Sequence, residues 1–293
     1  MAQDQRNILL TLEAGDYALE LAAARGGSVA RFDWRGLPLF RPSMPGTMLH
    51  TACFPLVPFS NRIGFSRFRL DGREVTLTPN MPEVDPLHVL HGYGWLREWR
   101  IVEAGSASAR LLHHHERAEW PWSYEAEQTF ELSPRGLRHG LILRNLDSSL
   151  MPAGIGFHPY FPRDQDTIYR GLHRGEWQTG ADGLPGQLLA LPEAADWWAG
   201  KPIGSRAVDT VYAGRKGPLV IDWPSRQLRL SIIPSTHLGF TVVYTPAGQD
   251  YFCVEPVSHL TGAINRSDPA NGLRWLAPGE ILKASVLYQA HAF

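Results

Sequence analysis

Short alternating apolar segments, cut every few residues by Gly, Pro, Asn or Asp, run the length of this 293-residue chain. Alternation with a period of two marks strands with one buried face. Ile8–Glu13, Tyr17–Ala22 and Ser28–Trp34 read this way at the start. Arg67–Leu70 and Glu74–Leu77 flank Asp71-Gly72-Arg73, a hairpin signal because Gly supplies the positive φ. Tyr124–Leu132 and Leu137–Arg144 flank Ser133-Pro134-Arg135-Gly136, a second hairpin candidate. Gln227–Ile233, Gly239–Tyr244, Tyr251–Glu255 and Leu282–Ala290 are the later predicted strands. Helical periodicity is weak, and Pro192–Trp198 is predicted as one short turn with Pro at its start. The segment from Pro162 to Lys201 is the least regular and reads as an excursion of loops and short strands. The 23 Pro and 28 Gly are spread evenly, with no Gly- and Ser-rich linker. The pattern predicts one all-β domain over residues 1–293. Its natural architecture is a large antiparallel β-sandwich, in which two sheets bury each other's inner faces.

Composition narrows the function. Net charge is −1, from 28 basic and 29 acidic residues, without the basic surplus of a nucleic-acid or anionic-membrane footprint. The start, Met1-Ala2-Gln3-Asp4-Gln5-Arg6-Asn7, lacks the basic-then-apolar plan of a signal peptide, and no apolar run approaches a membrane span. Only two cysteines occur, Cys53 and Cys253, both in apolar strand-like runs, so buried free thiols in a reducing cytoplasm are expected. Ten Trp, nine Tyr and twelve Phe serve first to pack a core, but flat rings also stack on sugar faces.

Three separated motifs hold the candidate chemistry: Leu90-His91-Gly92-Tyr93-Gly94-Trp95, Gly156-Phe157-His158-Pro159-Tyr160-Phe161, and Val254-Glu255-Pro256-Val257-Ser258-His259 running on to Gly262-Ala263-Ile264-Asn265. Together they supply two histidines and a carboxylate, a set able to move protons between oxygens near neutral pH. Glu255 ends an apolar strand, where a carboxylate is costly unless hydrogen-bonded or used, and Pro256 is expected to stop the pairing there. His158 and His91 each follow an apolar run, while His88 is expected to face elsewhere. Arg62, in Ser60-Asn61-Arg62-Ile63-Gly64, offers a rigid fork to substrate hydroxyls. Asp209, in Val208-Asp209-Thr210-Val211, offers a carboxylate to sugar hydroxyls or a turn cap. His113-His114-His115 are consecutive strand residues that point to opposite faces, so they do not converge on a metal; a solvated strand face is expected. There is no zinc-finger spacing, phosphate loop, dinucleotide fingerprint or nucleophile elbow.

Taken together, the motifs resemble the aldose 1-epimerase (galactose mutarotase-like) family. The matching stretches are Asn61-Arg62-Ile63-Gly64, the Leu70-Asp71-Gly72 hairpin, Leu90-His91-Gly92, His158-Pro159-Tyr160-Phe161, Asp209, and Glu255-Pro256 with Ala263-Ile264-Asn265. Gly26-Gly27-Ser28-Val29-Ala30 and Leu276-Ala277-Pro278-Gly279-Glu280 look like family punctuation, so the resemblance covers nearly the whole chain in order. It implies a supersandwich with a sugar cleft on one sheet face, no cofactor and no metal. It implies Glu255 as catalytic base, His158 as acid on the ring oxygen, and His91 as the second histidine. Arg62 and Asp209 are the implied substrate holders, joined by Asn61, Trp95 and Tyr160 from the same motifs. The implied ligand is a small monosaccharide, bound by a monomer or homodimer. The chain departs from the family where Tyr93-Gly94-Trp95 replaces a second Gly and a later Phe, and where Pro162 stands in place of Asn. These departures fit a bacterial subgroup and bear on sugar preference. Three alternatives stay open. An anionic hexose, phosphorylated or sulfonated, needs a basic cluster near the cleft, for which Arg67, Arg69 and Arg73 are candidates. A non-catalytic sugar-binding sandwich needs no matched acid and base. A glycoside hydrolase normally needs two carboxylates, and only one strong one is present.

Overall fold

Side chains that alternate along a strand can serve two faces at once, and the central strands here do so. In Gly156–Pro162 every residue is buried. Phe157 and Phe161 point into the core between two sheets, and Tyr160 joins a second apolar group on the outer face. Tyr251–Val257 repeats the division, with Phe252 and Val254 inward and Cys253 and Val257 outward. The computed structural model describes residues 9–190 and 197–293. Most of the turn expected over Pro192–Trp198 and the start of the strand expected from Ile8 lie outside them.

Among the described residues two large antiparallel sheets dominate, one of eleven strands and one of nine. The first runs Leu10–Ala14, Tyr17–Ala22, Ser28–Trp34, Cys53–Leu56, Gly156–Pro162, Tyr251–Val257, Phe240–Tyr244, Asp209–Ala213, Gly175–Thr179 and Pro185–Ala190, with Leu37–Pro38 beside Ser28–Trp34. The second is centred on Tyr124–Ser133, Gly136–Asn145, Ile281–Ala292 and Leu228–Pro234. They pack face to face as a β-sandwich. His139 of the second sheet lies 4.4 Å, centroid to centroid, from Phe157 of the first, and Tyr288 lies 6.3 Å from Phe32. No α-helix occurs among the described residues, and no helix is long and apolar enough to cross a membrane.

Two expectations are corrected. The strand carrying Glu255 does not stop at Pro256: it continues to Val257, with Thr241 opposite Pro256 and Phe240 opposite Val257. The interruption falls on its other edge. There the pairing with Gly156–Pro162 skips from Gly156↔Val257 to Tyr160↔Cys253. Pro159 and Pro256 both lie in the gap, and neither has an N–H to donate. The three histidines do not form a solvated face either. His114 is exposed, but His113 and His115 are buried and pack on Trp99 and Tyr124.

Burial also holds histidines neutral through the core. It pushes His139, His158 and His173 down to about 3, and His113 and His259 down to about 4, from an ordinary 6.5. The unfolded chain takes up these protons first as pH falls. Their contribution is therefore full above 6.5 and is lost on acidification toward the folded values. The expected result is a urea midpoint that falls steadily from pH 6.5 to pH 4. A midpoint flat across that window would contradict the buried-neutral assignment.

Candidate active site

The break in the ladder is where the candidate residues meet. The register that pairs Gly156 with Val257 and Tyr160 with Cys253 sets His158 opposite Glu255. Strand alternation turns both side chains to the outer face. His158 Nε2 and Glu255 Oε1 stand 3.3 Å apart, in residues only 5% and 2% exposed. The imidazole is clamped by rings. It stacks on Phe54, its cross-strand neighbour, at 4.5 Å and on Tyr160 at 4.7 Å. His91 meets it edge to face at 5.1 Å.

His91 is delivered by a loop rather than a strand. Its backbone N–H donates to Asn61 O at 2.8 Å, and the Asn61 N–H donates to His91 Nδ1 at 3.2 Å. Both residues sit at positive φ, +57° and +58°, a conformation Asn and His tolerate better than most. Because Nδ1 accepts, the neutral ring carries its proton on Nε2. Gly92 is required next. Its φ is +70°, and a Cβ there would lie 2.1 Å from Val57 O.

Arg62 is held beside this loop. Its Nε donates to Asp85 Oδ2 at 2.8 Å, its Nη1 donates to Asn61 Oδ1 at 3.3 Å, and Asp209 Oδ2 lies 3.6 Å from Nη1. The last separation is an ion pair too long for a direct hydrogen bond. Burial pulls the Asp85 carboxyl up, but Arg62 and the N–H groups of His88 and Leu87 outweigh it and hold it low. A shallow recess opens here, walled by Asn61, Arg62, Thr179, Asp209 and Thr261 among others.

Attraction alone suggests that Glu255 and His158 rest as an ion pair. Instead burial, then the nearby Asp209, raises the Glu255 carboxyl well above 4.5, and burial lowers His158 to about 3. The cost of desolvating two ions outweighs their attraction. The resting pair is therefore neutral, with the proton on Glu255. The ionic form has the same proton count and differs only in where one proton sits. Glu255 Oε2 and His158 Nδ1 are buried and have no hydrogen-bond partner among the described residues. Burial, then His158 and Arg62, also keep His91 neutral.

The structure brings Glu255, His158, His91, Asn61, Arg62 and Asp209 together. It does not give Trp95 a substrate-facing surface. That ring is fully buried, stacks on Phe54 at 4.9 Å, and donates its N–H to Leu90 O and Gly92 O. It supports the His91 loop from below. Tyr160 is likewise 3% exposed, and its ring carries both the His158 imidazole and the Arg41 guanidinium, 4.2 Å from its centroid. His88 faces elsewhere, accepting from Phe65 N–H and contacting Asp182 O. Sequence reasoning misses Asp85, Phe54 and Arg41, whose roles depend on contacts distant in sequence. The position of Cys253 beside the pair is missed too, although period two carries the signal: it lies two residues before Glu255 and so shares its face.

The sequence profile described as Aldose 1-epimerase matches residues 9–289. YphB of Escherichia coli K12, an uncharacterized protein, is 34% identical over 282 residues, covering 93% of this chain and 95% of that one. The crystal structure of a candidate aldose 1-epimerase from Escherichia coli K12 superposes with a TM-score of 0.89 at 30% identity, over 98% of this chain and 99% of that one. A galactose mutarotase-like protein from Clostridium acetobutylicum shares the fold, with a TM-score of 0.88 at 18% identity over 97% and 95% of the two chains.

Proposed function

Because the chain belongs to the aldose 1-epimerase family of carbohydrate isomerases, we propose that it interconverts the α and β anomers of a free hexose by opening and closing the ring. One observation carries this reading. The anomeric hydroxyl and the ring oxygen are bonded to the same carbon, so acid and base must be neighbours. His158 Nε2 and Glu255 Oε1 are 3.3 Å apart.

Sugar hydroxyls that donate to Glu255 favour its carboxylate and draw the shared proton onto His158. Glu255 then takes the proton of the anomeric hydroxyl. The bond from the anomeric carbon to the ring oxygen breaks as the aldehyde forms, and His158 delivers its proton to that oxygen. Ring opening thereby discharges an ion pair that its buried surroundings disfavour. The aldehyde turns about the bond between its first two carbons, and closure on its other face runs the transfers in reverse. His91, with its proton on Nε2, donates to the oxygen on which charge develops. Arg62, Asp209 and Asn61 hold the remaining hydroxyls so that only the reacting end swings.

Arg62→Ala tests the holding role. Hydrogen bonds from a charged group are worth roughly 1.5–3 kcal/mol, so KM is expected to rise about tenfold or more with a smaller change in kcat. Steady-state polarimetry measures this, and an unchanged KM would remove Arg62 from substrate binding.

A second reading keeps the chemistry and changes the sugar. Arg67 and Arg69 lie on one exposed face of their hairpin, and with Arg266, Glu74 and Asn265 they line a groove of about 460 Å³. The Arg266 guanidinium also lies 4.8 Å from the Trp177 ring, which belongs to the outer-face apolar group. This favours an anionic hexose. Anomer exchange measured on hexose 6-phosphate beside free hexose separates the two.

A further inference from the structure

We propose that His158, Cys253 and Glu255 also form a binding site for a thiophilic divalent cation, zinc above all, and that its occupation shuts off the acid–base pair. Nothing in ring opening uses a thiol, yet Cys253 points to the same face as Glu255. One ligand atom from each of the three residues lies within 4.8 Å of the other two, and all three residues are buried. An imidazole nitrogen, a thiolate and a carboxylate oxygen form a donor set suited to zinc. With bonds of about 2.0–2.3 Å, neighbouring ligand atoms of a tetrahedral zinc site lie roughly 3.3–3.8 Å apart. Nε2 and Oε1 already meet that spacing at 3.3 Å. Glu255 Oε2 is buried with no hydrogen-bond partner among the described residues, so the second carboxylate oxygen is open to the ion as well. Phe54 and Tyr160 hold the imidazole in place.

Two protons leave when the ion enters, one from the Cys253 thiol and one from the neutral His158–Glu255 pair. Both pass to the buffer, and affinity therefore rises with pH. The ion occupies the base oxygen and the acid nitrogen together, so bound zinc and turnover exclude each other. The cation site itself stands on the three side chains alone, and only its effect on turnover rests on the epimerase reading.

The test titrates zinc chloride into the full chain, reduced and free of chelator, by calorimetry and by competition with a zinc-binding dye. Cys253→Ser and Cys253→Ala are measured beside wild type. The expected result is one zinc per chain, released by chelator and displaced by saturating sugar. Affinity should fall at least about tenfold in both variants, the scale on which even outer ligand partners matter. Basal anomer exchange of the variants should be unchanged, and their inhibition by zinc relieved. Absence of zinc uptake by wild type, or uptake undiminished in both variants, overturns the proposal. Cobalt titration of wild type gives a reading independent of how the variants fold. A thiolate-to-cobalt charge-transfer band in the near ultraviolet supports the site, and its absence overturns it. Calorimetry reads the metal whether or not any sugar is turned over, so loss of the epimerase reading would not be mistaken for loss of the cation site.

Discussion

Glu255→Gln is expected to lower kcat by about 10²–10⁴-fold, the usual worth of a positioned acid–base group. Gln keeps the shape of the side chain and removes its ability to take a proton. The same substitution is expected to stabilise the protein at neutral and alkaline pH. Folded Glu255 holds its proton more tightly than unfolded Glu255 does, because burial and Asp209 raise it well above 4.5. The contribution of this group is therefore full below 4.5 and falls as pH rises through the folded value. Gln carries no such penalty. Thermal melts of the two proteins should coincide at acid pH and separate as pH rises, with the variant higher. Wild-type turnover in the variant would remove Glu255 from the chemistry. A variant that melts lower at every pH would contradict the assignment of its charge state.

His158→Asn is expected to cost a comparable 10²–10⁴-fold, and the double variant with Glu255→Gln no more than the worse single one. In the proposed mechanism donor and acceptor act in one step, so the second loss removes nothing further. Independent structural roles would instead multiply. His158→Ala adds a sharper reading, because added imidazole restores a missing acid but not a misfolded strand. Multiplying effects together with failed rescue would reduce His158 to a packing residue between Phe54 and Tyr160.

Much of the fold is legible in simple alternation. Tyr17–Ala22, Ser28–Trp34 and Arg67–Leu70 are strands at their predicted bounds, and the two predicted hairpins form. Period two reports one buried face, and that signal is strong in a half-buried antiparallel strand. It is weakest where both faces are covered. Gly156–Pro162 is buried throughout and Tyr251–Val257 at every residue but Tyr251; Pro159 lies in the first, and Pro256, which reads as a terminator, in the second. The chain uses those prolines differently, to open one ladder while another continues. His113 and His115 fail in the opposite sense, since a polar side chain on a strand gives no sign of which face it takes.

The site is legible as a set of residues but not as an arrangement. Register brings His158 to Glu255, and register is a property of two strands almost a hundred residues apart. Asp85 holds Arg62 from a loop with no pattern of its own. Trp95 belongs to a motif, yet motif membership does not distinguish a ring that meets the sugar from one that supports the loop beneath. The resting charge of the pair is the least legible feature, because it depends on burial that only the packed sheet supplies.

The most direct test of the account is saturation-transfer NMR between the α and β anomers of free hexoses at equilibrium, with and without the protein. The predicted result is accelerated exchange on at least one hexose, abolished by Glu255→Gln. If the protein binds a sugar yet accelerates anomer exchange of neither neutral nor phosphorylated hexoses, the opposed His158–Glu255 pair is not a working acid and base.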